Sequence, residues 1–247
     1  MVEPLFRFEG KIAPEVGSSV SLTEAEAKHA IAARRMRVGE AIQLSNGFGM
    51  RVRGRVSAID QGILSVQVES VSQQPEPELK FTLIQALAKG DRDELAVQAA
   101  TEIGIWQVIP WQAERSISRW EGPKQQKGVA RWQSIANEAT KQSLQVFEPQ
   151  VLPPQDSKGL TSLFSNFDLV LILDPEADRQ IGSLNLDQTA SIALIIGPEG
   201  GISEAEISRF TEAGALRVKL GSGILRTSTA GLVALSVLQT RVGMFGN

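Results

Sequence analysis

The sequence contains no cysteine and a single histidine, His29. Disulfides, thiolate nucleophiles and iron–sulfur ligands are therefore excluded, and a structural zinc site, which needs several Cys or His ligands, is not expected. No metal site is predicted. Any chemistry must rest on Arg, Lys, Glu, Asp, Ser and Thr side chains, on backbone groups, or on a cofactor that brings its own reactivity.

Long apolar runs are also missing. No stretch approaches the roughly 18 to 20 apolar residues that cross a bilayer, and the first ten residues, MVEPLFRFEG, do not combine a basic segment with an apolar one. We therefore expect a cytoplasmic protein that does not contact a membrane. A length of 247 residues with 42% hydrophobic content allows one large or two modest domains with a substantial core.

The net charge of −3 does not by itself favour a nucleic-acid partner, because affinity for phosphates is mainly electrostatic. The basic residues are concentrated, however, in the region 28–55, whose one acidic residue is Glu40. They are Lys28, Arg34, Arg35, Arg37, Arg51, Arg53 and Arg55. In MRVRGRV (50–56) the arginines alternate, so in a strand they share one face. This face is either a solvated edge strand or, as the nearby HAIAARRMR (29–37) favours, a contact surface for a polyanion.

The pattern of the chain changes near residue 75. Before it, short alternating segments separated by glycine and asparagine turns, with one helical stretch, predict a small β-barrel over 1–72. Residues 73–79 contain two prolines and are predicted to be a linker. Beyond it, apolar segments predicted as buried strands alternate with helices, which indicates an α/β domain with a mostly parallel sheet over 80–247. The strands are KFTLIQAL, WQVIPW, DLVLILD, SIALIIG and RVKLG, and the helices lie near 91–103, 123–144, 203–213 and 228–241.

Two glycine-rich loops follow predicted strands, where ligands of parallel sheets bind. GPEGG (197–201) precedes a helix with Ser203 as its predicted N-cap and Glu206 at capping-box spacing. LGSGILRTSTAG (220–231) joins the last strand to the last helix. The glycines either form tight turns or let backbone groups approach a ligand. The first loop lacks the lysine of a P-loop, and the second has Arg226 where a dinucleotide fingerprint needs glycine. A ligand with an adenine and a sulfonium would suit such loops better.

Together, LIIGPEGGISEAEI and LGSGILRTSTAGLVALSVLQ, preceded by KGDRDELAVQAATEIGIWQVIPWQAERS and RWQSIANEATKQS, resemble the RsmE family of bacterial 16S ribosomal RNA uracil-N3 methyltransferases over essentially the whole chain. The resemblance implies an N-terminal PUA-like RNA-binding barrel and a C-terminal SPOUT domain with a trefoil knot and helices on both faces of its sheet. It implies S-adenosyl-L-methionine as cofactor, a homodimer, and methylation of N3 of one uridine in 16S rRNA, with the assembled small ribosomal subunit as partner.

The resemblance also implies roles for particular residues. Arg226 would stabilise charge on the uracil carbonyls as N3 loses its proton, the alternative being an ion pair with Glu199. Glu199 or a water molecule would be the general base. Ile224 and Leu225 would pack on the adenine or belong to the core, and His29 would contact RNA or pack locally. The implied cofactor-binding residues are Leu173, Ile196, Gly197, Pro198, Glu199, Gly200, Gly201, Leu220, Gly221, Ser222, Gly223, Ile224, Leu225, Arg226 and Thr229; the implied RNA-binding residues are His29, Arg34, Arg35, Arg37, Arg51, Arg53 and Arg55.

Other interpretations of the sequence remain open. The protein could methylate another RNA or another atom, since loop lengths and a few side chains set the target, or it could be a catalytically inactive RNA-binding relative. The last helix, within TAGLVALSVLQTRV (229–242), has apolar residues around more than one face, which favours a dimer interface over burial within one subunit. These residues are Leu232, Val233, Leu235, Val237 and Leu238.

Overall fold

The computed structural model describes residues 3–244, which form two compact units. The first unit extends to Glu76 and also includes Thr140–Glu148, whereas the second comprises Pro77–Ala139 and the chain from Pro149 onward. The sequence had assigned 140–148 to the second domain, and the structure differs on this point. None of the helices within 3–244 has the length and apolar character needed to span a bilayer.

Within residues 3–76, the first unit contains five strands and one short α-helix. In chain order these are β1 (Leu5–Arg7), β2 (Ser19–Leu22), α1 (Glu24–Lys28), β3 (Ala41–Ser45), β4 (Met50–Asp60) and β5 (Ile63–Gln73). A π-helical turn, His29–Ala33, continues α1. The strands form one sheet in the order β1-β3-β4-β5-β2, in which only the β1–β3 pair is parallel. The small β domain predicted from the sequence is confirmed, and β1 and β2 are the edge strands of its sheet.

The long hairpin of β4 and β5 is the centre of this unit. Its turn is made by Gln61 and Gly62, both with positive φ. Val52 and Val56 are buried, while the neighbouring arginines of β4 face away from the core, as the alternation predicted. Gly54 lies at a register shift, where a Cβ atom would collide with the carbonyl oxygen of Gln67 on β5. Glycine therefore permits the close approach of the two strands.

The segment 140–148 belongs to the first unit through main-chain and side-chain bonds. The N–H of Gly49 donates to the Val146 carbonyl at 2.9 Å. Lys141 Nζ lies 2.7 Å from Glu26 Oε1. Arg7 forms an ion pair with Glu148. Because these partners are far apart in the chain, no local pattern could indicate which core the segment joins.

The second unit contains the remaining strands and α-helices, together with short 3-10 turns at Phe164–Asn166 and Ile181–Ser183. The strands and α-helices are β6 (Lys80–Ala86), α2 (Arg92–Glu102), β7 (Gln107–Trp111), α3 (Pro123–Gln142, whose last residues belong to the first unit), β8 (Gln150–Val151), α4 (Ser157–Thr161), β9 (Leu169–Leu173), β10 (Ser191–Ile196), α5 (Glu204–Glu212), β11 (Leu216–Val218) and α6 (Thr227–Arg241). The predicted strands are confirmed as β6, β7, β9, β10 and β11, and the predicted helices as α2, α3, α5 and α6. The two-residue β8 and the one-turn α4 are too short to give a periodic signal.

The six strands of this unit form one parallel sheet in the order β11-β9-β10-β6-β7-β8. Alternate residues of β6 belong to different cores. Leu83 packs with residues of α2, α3 and α6, whereas Ile84 packs with residues of α4 and α5. Helices therefore cover both faces, as expected, and the strands are buried on both sides, which explains their continuous apolar runs.

Candidate functional site

A cleft with a volume of about 670 Å³ lies at the carboxyl ends of β9, β10 and β11. The three strands are neighbours in a parallel sheet, so their following loops meet at one edge. Most of the predicted cofactor-binding residues line this cleft. They are Leu173, Ile196, Gly197, Pro198, Glu199, Gly201, Leu220, Gly221, Gly223, Ile224, Leu225 and Arg226. Gly200, Ser222 and Thr229 are not part of the lining.

The loop after β10 is shaped by its own packing. A Cβ atom on Gly197 would lie 2.7 Å from Ile202 Cγ1, and Gly201 has φ +72°. The helix that follows begins with the predicted capping box: the Glu206 N–H donates to Ser203 Oγ at 3.2 Å, and the Ser203 N–H donates to Glu206 Oε2 at 3.1 Å. The glycines of this loop thus serve its turn, and the cap sets where α5 starts.

The loop after β11 differs from the loop after β10 because its glycines border open space. Cβ atoms on Gly221 and Gly223 would meet nothing within 4 Å, so their backbone borders open space. Ile224 is 81% exposed and Leu225 is 40% exposed. The alternative that these two residues belong to the core is therefore wrong. Apolar side chains and bare backbone therefore line one wall of the cleft, an arrangement suited to an apolar ligand surface.

Arg226 does not form the ion pair that was considered for it. It is exposed at the N-cap position of α6, and no described residue is a hydrogen-bond or ion-pair partner of its guanidinium. An ion pair was expected because Arg226 lies between a buried strand and a helix, where an unpaired charge is unfavourable. Because the loop is open, water solvates the guanidinium, and the charge remains available at the wall of the cleft.

Glu199 is instead held by residues at the start of α2. Its Oε1 accepts from Arg92 Nη1 at 3.1 Å and from the Lys89 N–H at 3.1 Å. Arg92 lines the cleft and was not predicted, although it lies in the quoted segment KGDRDEL. The turn before α2 is further fixed by Asp93, whose Oδ2 accepts the Ala88 N–H at 2.9 Å. Burial raises the pKa of the Asp93 carboxyl.

A second unpredicted arginine, Arg115, reaches the cleft from the loop after β7. Its Nη1 donates to the Gly200 carbonyl at 3.3 Å, and the side chain is exposed. Three guanidinium groups thus line the cleft, and within residues 3–244 only that of Arg92 is paired with a carboxylate. Among residues 3–244 no cluster of His, Cys, Asp and Glu is arranged to hold a metal ion.

The basic strand of the first unit contains three different environments. Arg51 Nη2 donates to the Leu144 carbonyl at 2.7 Å, and burial, reinforced by the charge of Arg53, lowers the pKa of Arg51. Arg55 Nε lies 3.0 Å from Glu69 Oε1. Arg53 is exposed, and in the described part of the chain its side chain has no partner. One of the three arginines is therefore free for an external anion.

The remaining RNA-binding candidates lie in the π-helical turn or just after it. Arg34, Arg35 and Arg37 are exposed, and their side chains form no ion pair within the described residues. His29 is half-buried, with its ring edge-on to Phe6 at a centroid distance of 5.9 Å. The geometry therefore favours local packing for His29 and leaves the arginine cluster accessible.

These two units match known protein families. Residues 75–239 match the family model described as an RNA methyltransferase domain, and residues 22–69 match the one described as an RNA methyltransferase PUA domain. Fold and site thus define an RNA methyltransferase with an N-terminal PUA domain.

Individual relatives narrow the family further. The ribosomal RNA small subunit methyltransferase E of Mycobacterium bovis is 35% identical over 229 residues, which cover 91% of this chain and 87% of the relative. A crystal structure of the same enzyme from Neisseria gonorrhoeae, bound to S-adenosyl methionine, has a TM-score of 0.88, 29% identity and coverage of 99% and 100%. A Legionella pneumophila methyltransferase in complex with SAM has a TM-score of 0.88, 29% identity and coverage of 98% of both chains. The chain belongs to the ribosomal RNA small subunit methyltransferase E family.

Proposed function

We propose that this protein transfers a methyl group from S-adenosyl-L-methionine to N3 of one uridine in the 16S rRNA of the small ribosomal subunit. The observation that carries the proposal is the cleft at the ends of β9, β10 and β11, in which open glycine backbone, exposed apolar side chains and the guanidinium of Arg226, which has no partner within residues 3–244, line one space. The solved neighbours with bound cofactor support it.

The residues of the cleft fit this cofactor. Ile224 and Leu225 offer apolar surface to an adenine, and backbone N–H and C=O groups near Gly221 and Gly223 can reach a ligand without intervening side chains. A cleft of about 670 Å³ is within the range that accommodates a small ligand. S-adenosylmethionine supplies an electrophilic methyl group when bound.

The protein's own part is to align uracil N3 with that methyl group and to favour the deprotonated imide. The unpaired guanidinium of Arg226 is placed to stabilise negative charge on the uracil carbonyls as the N3 proton leaves. Glu199 is already hydrogen-bonded to Arg92 and Lys89, so we assign it to shaping the loop. The N3 proton then passes to water.

The first unit supplies contacts with the RNA. Arg34, Arg35, Arg37 and Arg53 are exposed and unpaired within the described chain, as phosphate-binding residues must be before they meet RNA. A uracil in folded RNA must be turned out of its stack to enter a cleft of this kind, and such target bases are found in loops and other unstacked regions. We propose the assembled small subunit as the substrate.

The test is methyl transfer in vitro. Purified protein and tritium-labelled S-adenosylmethionine would be incubated with free 16S rRNA and, separately, with small subunits from cells that lack this protein. Mass spectrometry of the nucleosides should detect 3-methyluridine, with more label in the subunits. Another methylated nucleoside would favour the alternative of a different target, and absence of cofactor binding would favour an inactive RNA-binding relative.

We also propose a homodimer. On α6, Leu235 and Leu238 are buried within their own subunit, but Val233 is 37% exposed and Leu232 and Val237 are half-buried. This apolar strip supports the expectation that the helix contacts a second copy. A sedimentation mass near 26.7 kDa at micromolar concentration would contradict it.

We further propose a trefoil knot, a cytoplasmic location and the predicted domain limits of 1–72 and 80–247 with a linker at 73–79, except that 140–148 belong to the first unit. Limited proteolysis should cut first within 74–79, because Gln73 is the last residue of β5. Cell fractionation should recover the protein with cytoplasmic ribosomes. Mechanical stretching of the second domain should leave a tightened knot, and release of the full contour length would contradict it.

A further inference from the structure

Gln85, near the end of β6, is a fully buried polar residue in an apolar sheet. It pairs in register with Ile196, the last residue of β10 before the GPEGG loop. Its Nε2 donates to Thr227 Oγ1 at 2.8 Å and to the Ala86 carbonyl at 3.1 Å. The side chain thus connects the central strand to the first residue of α6.

Thr227 continues this chain of hydrogen bonds. Its hydroxyl donates to the Gly197 carbonyl at 2.8 Å, and the hydroxyl oxygen accepts from Gln85. A threonine hydroxyl has one proton to donate, so the directions of both hydrogen bonds of Thr227 are determined. Gly197 begins the loop after β10, and Thr227 ends the loop after β11. The two walls of the cleft are therefore joined at their bases by one buried hydroxyl.

This hydrogen-bonded bridge from Gln85 through Thr227 to Gly197 lowers the stability of the fold. Gln85 Oε1 is buried with no partner in the described chain, and an unpaired buried acceptor is unfavourable. The helix also packs closely here: a Cβ atom on Gly231 would lie 3.0 Å from Leu83 Cδ1. An apolar side chain could fill the position of Gln85, but it could not hold Thr227 in register with Gly197.

We infer that Gln85 and Thr227 are positioning residues that set the spacing between the two loops of the cleft. Gln85 does not line the cleft and acts through Thr227 and Gly197. The inference rests on the proposed cofactor site. It predicts that loss of the bridge weakens cofactor binding without any loss of a direct contact by Gln85.

The variants Thr227→Val and Gln85→Leu remove the hydrogen bonds with little change of volume, and Thr227→Ser keeps the hydroxyl. The matched control is Gln239→Leu. Gln239 is also buried, its Nε2 donates to the Ile103 carbonyl at 2.7 Å, and its Oε1 likewise has no described partner, but it lies in the last turns of α6. It therefore reports the general effect of losing a buried glutamine.

Calorimetric titration with S-adenosylmethionine and thermal unfolding would be measured for each variant. We expect Thr227→Val and Gln85→Leu each to weaken cofactor affinity about tenfold, which corresponds to the loss of one buried hydrogen bond. Thr227→Ser should stay within about threefold of the parent. The double variant should be no weaker than the weaker single one, because both break the same chain. Gln239→Leu should lower Tm and leave affinity unchanged.

Parent-like affinity in Gln85→Leu would overturn the inference, as would an equal loss in Gln239→Leu. Thr227 lines the cleft, so a loss in Thr227→Val alone includes any direct contact of its hydroxyl with the ligand. If Gln85→Leu does not fold, Gln85→Met, which also removes the amide, takes its place. Absence of binding by the parent protein would instead contradict the proposed cofactor site, so the two failures are distinct.

Discussion

Arg92 and Glu199 join the start of α2 to the GPEGG loop, with Arg92 Nη1 3.1 Å from Glu199 Oε1. Both residues line the cleft, and their side chains are 44% and 22% exposed. A pair this open contributes about 1 kcal/mol or less to stability, because water screens it. Its main consequence is geometric, since it fixes a carboxylate that would otherwise be a candidate base.

Glu199→Gln distinguishes a role of Glu199 in shaping the loop from a role as general base. The amide keeps an oxygen for the Lys89 N–H and loses only the charge, so we expect kcat/KM to fall less than about tenfold, with an unchanged pH profile. Loss of a general base would lower the rate by about 10² to 10⁴ and remove one limb of that profile. Methyl transfer measured from pH 6 to 10, at about half-unit intervals, distinguishes the outcomes.

Arg226→Ala should lower methyl transfer about 10²-fold or more while most RNA affinity remains, because a preorganised charge-stabilising group is lost. Arg209→Ala is the control, since Arg209 is an exposed arginine on α5 of the same unit that does not line the cleft. Filter binding and tritium transfer report the two quantities. A parent rate in Arg226→Ala would show that the residue has no catalytic role.

Gly221→Val should abolish binding of S-adenosylmethionine while the protein stays folded, because the new side chain meets no protein atom within 4 Å at Cβ and projects into open space. Gly182→Val is the matched control, with equally open surroundings outside the cleft. Gly197→Val is less informative because it would strike Ile202. Calorimetry with EDTA present should give the same affinity for the parent, and unchanged affinity in Gly221→Val would contradict the proposed pocket.

Arg53→Ala should weaken RNA binding and reduce the slope of log K against log salt by about 1, since one phosphate contact is lost. Arg55→Ala should change both quantities less, because Arg55 is already paired with Glu69. Arg51→Ala should lower Tm, since it removes the bond to the Leu144 carbonyl. Filter binding measured over a range of salt concentrations tests whether Arg53→Ala weakens RNA binding more than Arg55→Ala does. Equal effects of the two substitutions would contradict the prediction.

Asp168→Asn should reduce stability at neutral pH. Hydrogen bonds, chiefly from the Ala190 N–H and the Ser191 hydroxyl, lower the pKa of the Asp168 carboxyl below 3.8. A lowered pKa in the folded state gives a contribution that is present above pH 3.8 and lost as the pH falls through the folded value.

The stability difference between parent and Asp168→Asn should therefore shrink on acidification below that pH. Urea unfolding at pH 7 and at about pH 3 measures it. Asp187→Asn is the control, since Asp187 is exposed and no described residue is hydrogen-bonded to its carboxylate. A difference that is constant with pH would contradict the assignment.

Local pattern in the sequence determined the longer helices and strands of the second unit and the position of the cleft. Alternation predicted that Arg53 faces away from Val52, because the side-chain period of a strand is two. Continuous apolar runs predicted a parallel sheet covered on both faces, and parallel strands bring their following loops to one edge. The capping box was readable because its two residues are three positions apart.

The tertiary structure alone decided which side chains of the site are hydrogen-bonded or ion-paired and which are exposed without a partner in the described chain. Arg92 and Glu199 are 107 positions apart, and Gln85 and Thr227 are 142 positions apart. Thr140–Glu148 joined the first unit through partners around residues 26 and 49. The exposure of Arg226 depends on how the loop after β11 leaves the sheet. Such contacts carry no periodic signal, because they depend on the packing of elements that are distant in the chain and not on the conformation of neighbouring residues.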